Sequence, residues 1–138
     1  MKQRIFAIAF LAGALVSAAS AQAAPGSPWV GVWRANFNGL PTDTLTLAAD
    51  TGELGGTVVL DMVSDEGGTP HVIMSEPHVL MNPRLDGSTL SFRVKMQKPG
   101  GPVVTRDFTV TLTSPGNANF HCVNCGPGAP VVSLLKNQ

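Results

Sequence analysis

Apolar and polar residues alternate with a period of two along most of the chain after Pro28, the pattern of strands that bury one face. Over residues 90–97, Leu90, Phe92, Val94 and Met96 face one way, and Ser91, Arg93, Lys95 and Gln97 the other. Residues 107–113 repeat the pattern with Phe108, Val110 and Leu112 inward, and residues 44–47 do so again. The interleaved threonines favour this setting, because a β-branch restricts χ1 and packs along a pleated surface. No segment shows helical spacing. Turn residues punctuate the runs: Asp50-Thr51-Gly52-Glu53 and Leu85-Asp86-Gly87-Ser88 are short turns, while Glu66-Gly67-Gly68-Thr69-Pro70 and 98–102 are longer connections. The second of these lies between two clear strands and reads as a protruding tip. The pattern predicts strands near 29–37, 43–49, 56–63, 71–75, 78–81, 89–97, 103–113, 118–123 and 130–135.

About eight short strands joined by tight turns predict an all-β fold, a small antiparallel barrel, with a β-sandwich as the alternative. The barrel is favoured because closure removes exposed edges. Neither glycine-rich stretch leads from a strand into a helix, so dinucleotide and Walker patterns are absent.

The first 23 residues break the alternation and change the reading of the whole. Lys2 and Arg4 precede an uncharged apolar run over residues 5–16, and small residues follow, ending in Ala21-Gln22-Ala23. That is the layout of a cleaved secretory signal peptide, residues 1–23, and the apolar run is too short to span a bilayer about 30 Å thick. Residues 24–138 then form one domain in an exported compartment, periplasmic or extracellular. Loss of Lys2 and Arg4 leaves seven basic and nine acidic side chains, a net charge of −2. With no basic excess, nucleic-acid binding by bulk charge is excluded. The 43% hydrophobic content argues against disorder. No second long apolar run suggests a membrane span.

Gly31-Val32-Trp33 resembles the Gly-x-Trp signature of lipocalins and related calycin barrels. The resemblance implies an eight-stranded barrel with the tryptophan packed across one end and a small apolar ligand admitted at the other. Leu45-Thr46-Leu47, Leu54-Gly55-Gly56-Thr57-Val58 and residues 82–94 resemble small exported bacterial all-β proteins of unestablished function. This likeness spans roughly residues 29–113. It implies fold and export, and carries over no catalytic residue.

Four features could carry chemistry. In an oxidising compartment Cys122-Val123-Asn124-Cys125 reads first as a disulfide between Cys122 and Cys125 that rigidifies a hairpin tip. A zinc site at His121, Cys122 and Cys125, completed by His71 or His78, and a thiol-exchange site are the alternatives. Glu76 and His78 share a face if the strand is regular; they read as a solvated edge beside Pro77, or as a general acid–base pair. Asp61 reads as an outward residue. Met62, Met74, Met81 and Met96 read as core filler or as the lining of an adaptable apolar pocket. No nucleophile elbow occurs.

The leading expectation is therefore a non-catalytic binding protein without a cofactor. It would hold a small apolar ligand inside the barrel against Trp33, Leu47, Leu60, Phe92 and Phe108. Side chains also fill many eight-stranded barrels. A filled core would favour a protein-interaction module with exposed loops such as 98–102. An enzyme or metal protein centred on the cysteine pair is the third class.

Overall fold

The computed structural model describes residues 27–98 and 100–138. The expected signal peptide lies outside them. Nine strands follow in chain order: β1 (Gly31–Phe37), β2 (Leu40–Asp50), β3 (Glu53–Ser64), β4 (His71–Val79), β5 (Met81–Asp86), β6 (Thr89–Gln97), β7 (Val103–Ser114), β8 (Asn117–Cys122) and β9 (Val131–Lys136). All pairings are antiparallel, and the strands form one sheet in the order β4-β3-β2-β1-β9-β8-β7-β6-β5.

The ladder runs from β4 round to β5 and stops there. These two strands are consecutive in the chain, separated only by Leu80, yet they do not pair with each other. β4 keeps β3 as its partner and β5 keeps β6. β4 also approaches β6, so the sheet curls until its two ends come near without hydrogen-bonding shut. The expected all-β antiparallel architecture is what forms; its open ladder is described equally by an open barrel or a sandwich.

Period-two patterning explains what fills the inside. Trp33, Leu45, Leu47, Leu54, Val58, Leu90, Val94, Val110 and Leu134 are almost completely buried, and they come from six strands. Phe92, Phe108 and Phe120 stack nearly parallel on neighbouring strands, their centroids 5.1–6.4 Å apart. The chain entrance seals one end of the curled sheet. The Trp33 Nε1–H donates to the Trp29 carbonyl at 2.9 Å, and Lys136 Nζ lies over the Trp33 ring while donating to the Pro28 carbonyl. At the other end lie the β1–β2, β3–β4, β6–β7 and β8–β9 connections. Two-residue turns with positive φ at both positions, Asn38-Gly39 and Thr51-Gly52, match the twist of their hairpins.

The sequence pattern breaks the 71–81 region at Glu76-Pro77-His78, but the chain stays in strand there and bends at Leu80. Pro77 is tolerated because β4 is an edge strand, where a missing N–H need not cost a ladder bond. The Asn82-Pro83 irregularity, with Asn82 at positive φ, disguises β5 as turn.

Gly56 packs against β2 with no room for a side chain: a Cβ there would lie 1.8 Å from the Thr46 carbonyl oxygen, whereas one on Gly55 would meet nothing within 4 Å. Gly56→Ala is expected to cost about 3 kcal/mol in a urea titration, and Gly55→Ala less than about 1 kcal/mol.

Candidate functional site

Four of the five residues expected to line an internal ligand site are core. Trp33, Leu47, Phe92 and Phe108 are at most 6% exposed and packed against other side chains. Phe92 and Phe108 also border a groove on the outer side of β6 and β7, and Leu60 lines open space at the mouth. The reason lies in how β2 and β3 part company.

Their regular ladder extends only to Thr44↔Val59. A bulge against β1 makes Asp43 the extra residue of β2, because Arg34 pairs Thr44 and Ala35 pairs Thr42. The Asp43 side chain then does what the backbone no longer does: its Oδ1 accepts the Asp61 N–H at 2.7 Å. Beyond this point β3 is bonded only to β4, and the two continue as a two-stranded ribbon with a second bulge at Ile73. The ribbon exposes Met62 (49%), Val72 (36%), Ile73 (56%) and Met74 (39%). Met62 and Met74 are register partners and share one face of the ribbon, the kind of gathered apolar surface that marks interaction sites more often than residues scattered singly.

On the opposite lip, β6 loses its β5 partner beyond Arg93, and Met96 packs against the core. Between the lips runs a groove of about 370 Å³, lined by Leu60, Asp61, Met62, Val63, Met74, Glu76 and Met96. That volume falls within the usual range for small-molecule sites. A smaller groove of about 210 Å³ on the far side of the ribbon shares Asp61 and Val63 and adds Phe37, Thr42, Asp43, Pro130 and Val132.

Polar groups at this mouth are few. Register pairs Glu76 with Leu60 and His78 with Val58, so both side chains share the core-facing side of β4. His78 Nε2 lies 3.6 Å from Glu76 Oε2, and the imidazole is much the more buried partner, its side chain 12% exposed against 42%. The Ser75 hydroxyl faces the other way and donates to Asp61 Oδ1. Burial raises the Asp43 pKa above its ordinary 3.8, and the nearby Asp61 charge pushes the same way; hydrogen bonds from the Asp61 and Asp43 backbone partly offset them.

A further groove of about 410 Å³ lies outside β5, β6 and β7, against Arg84, Arg93, Asp107 and Val123. Its Arg93–Asp107 ion pair, 3.0 Å long, is half-exposed on both sides and contributes at most about 1 kcal/mol.

Cys122 and Cys125 form a disulfide, with Cα atoms 5.5 Å apart. The ring closes just as β8 leaves β7 and presents Asn124 to the strand it has left. Asn124 Oδ1 accepts the Asp107 N–H at 2.8 Å and its Nδ2 donates to the Thr105 carbonyl, so a side-chain amide continues the ladder. Arg106 clamps the turn by donating to the Asn124 carbonyl. This arrangement argues against zinc at His121, Cys122 and Cys125: both sulfurs are bonded to each other, and His121 alternates with Cys122 across the sheet, its Nδ1 nearest the Pro130 carbonyl. Among the described residues no group of three His, Cys, Asp or Glu side chains is placed to hold a metal ion. The motif also ends a strand instead of starting a helix, so no helix N-terminus is present to lower a thiol pKa.

The sequence reading missed Asp43 and Asn124. Only the position of Asn124 inside the four-residue ring hinted at a placed amide. No known protein family, curated protein or solved structure matches the chain. No helix among the described residues is long and apolar enough to cross a membrane.

Asn124→Ala leaves the Asp107 N–H without its partner and is expected to cost about 1–2 kcal/mol by urea unfolding. Asp43→Asn keeps an oxygen for the Asp61 N–H while removing a half-buried charge. Because the folded pKa lies above 3.8, the native protein loses stability as pH rises from that value through the folded pKa, and the loss persists at neutral pH. The variant should be more stable than the parent at pH 7 and lose that advantage below about pH 4, which urea titrations at the two pH values would measure.

Proposed function

We propose that this chain is an exported, non-catalytic binding protein that takes an apolar molecule in the groove between β4 and β6. The observation that carries the reading is the groove itself: Leu60, Met62, Met74 and Met96 converge on about 370 Å³ of open space beside a core that side chains already fill. The ligand site expected deep in the barrel thus moves to its lateral seam. Methionine suits such a surface, since its flexible, polarizable thioether adapts to irregular partners. The Gly31-Val32-Trp33 start, resembling that of lipocalins, fits a binding role. Export is supported by the charged, apolar and small-residue layout of residues 1–23, and the Cys122–Cys125 disulfide agrees with an oxidising compartment.

A second reading, docking of another protein along β4, draws on the unpaired edge of that strand and on exposed Val72, Ile73 and Val79.

Titration with N-phenyl-1-naphthylamine, a neutral apolar fluorophore, tests the first reading. Binding is expected to shift the methyl resonances of Met62, Met74 and Met96 in protein labelled with ¹³C-methyl methionine. Met74→Lys should weaken it at least about tenfold. Saturable binding that leaves those three methyls unmoved would sink the groove as the site.

A further inference from the structure

Resting on the groove reading, we infer that the ligand is a cationic amphiphile, an apolar body carrying an ammonium group. The groove is supplied with one carboxylate, that of Glu76, and none of its lining residues is a cation. Of its lining residues only Glu76 and Asp61, whose carboxylate is turned to Ser75, are charged, and the rest are Leu60, Met62, Val63, Met74 and Met96. On the opposite lip Lys95 alternates with core-facing Val94 and Met96 and is exposed on the outer face, while Arg106, the register partner of Val94, donates to the Asn124 carbonyl.

The wider field has the same sign. Residues 27–80, which build β1 to β4, hold seven acidic side chains and one basic one, Arg34; residues 81–138 hold six basic and two acidic. The ribbon is therefore the negative side of the molecule, and Asp65 and Glu66 at its tip extend that charge beyond the groove. An anionic amphiphile would meet repulsion here at the point where its tail finds cover. A cation gains attraction in a cleft whose apolar walls concentrate the field. His78, 3.6 Å from Glu76, is the imidazole closest to the head-group position; it lies nearer the buried side of the carboxylate and leaves Glu76 half-exposed to the groove.

The geometry divides the labour between the two parts of such a ligand. The four Leu and Met side chains cover the body without demanding one shape. Glu76 takes the ammonium, because it sits on the same face of β4 as Met74, two residues along. Asp61 already accepts the Ser75 hydroxyl and contributes at longer range.

The test compares three probes with the same tail, each kept monomeric: decyltrimethylammonium, decanol and decyl sulfate, titrated by calorimetry into the disulfide-bonded protein at pH 8. The ammonium is expected to bind about tenfold more tightly than the sulfate at low salt, with the ratio shrinking in about 0.5 M sodium chloride. Glu76→Gln should narrow that ratio at least about threefold. Equal affinity for all three probes, or preference for the sulfate, would overturn the cationic assignment and leave the apolar groove standing. Failure of every probe to bind would overturn both.

Discussion

A β-strand offers one hydrogen-bonding edge to each side, and at Leu80 this chain changes which side it uses. β4 spends its bonds on β3, and β5 spends its bonds on β6, although one residue separates them. The ladder therefore cannot run continuously round the molecule. Two features of the mouth follow: the unpaired lips of β4 and β6, and the cleft in which Met74 and Met96 face open space. Leu80 itself is buried, and its N–H is held by the Gly56 carbonyl at 3.1 Å, so the bend is anchored to β3 from within.

An open ladder leaves polar backbone groups to be satisfied, and the protein uses the same device twice. Where β2 parts from β3, a carboxylate from Asp43 takes the Asp61 N–H. Where β8 parts from β7, the carboxamide of Asn124 takes the Asp107 N–H. Both side chains stand in for a peptide group that has moved away, because an unpaired backbone donor removed from water costs about as much as a lost hydrogen bond. The two solutions differ in their electrostatics. Asn124 is neutral and is held by a disulfide ring, whereas Asp43 is charged, half-buried and raised in pKa. The negative charge that burdens folding at Asp43 belongs to the same acidic field that selects the proposed ligand.

The division between a filled interior and a wet mouth also has a packing cause. Three stacked phenylalanines and Trp33 occupy the curled sheet where facing strands are close. Close-packed cores leave few voids as large as a water molecule, so a cavity deep inside would have to be carved out of these residues. At the seam Met62 and Met74 look across to Met96 on β6 with no strand between them, and the space stays open without that sacrifice. Ligand binding at the seam is compatible with a stable core in a small domain.

Much of the strand layout was legible in the residues, as the alternations around Phe92 and Phe108 and the turn at Thr51-Gly52 illustrate. These signals are local: a side chain's face is set by its neighbours two residues away, and a turn by the φ angles of one or two positions. By itself the sequence determined the all-β class and the buried face of each clear strand, and it placed a Cys122–Cys125 disulfide first among three readings that the tertiary structure then decided. Tertiary structure alone decided where the sheet stays open, that β4 runs through Pro77 to bend at Leu80, and that Leu60, Met74, Glu76 and Met96 meet across one groove. Those outcomes depend on which distant strand each edge pairs with, and on bulges at Asp43 and Ile73 that shift register by a residue. A period-two pattern reads the same whether the partner strand is present or has peeled away, so only the assembled sheet could show it.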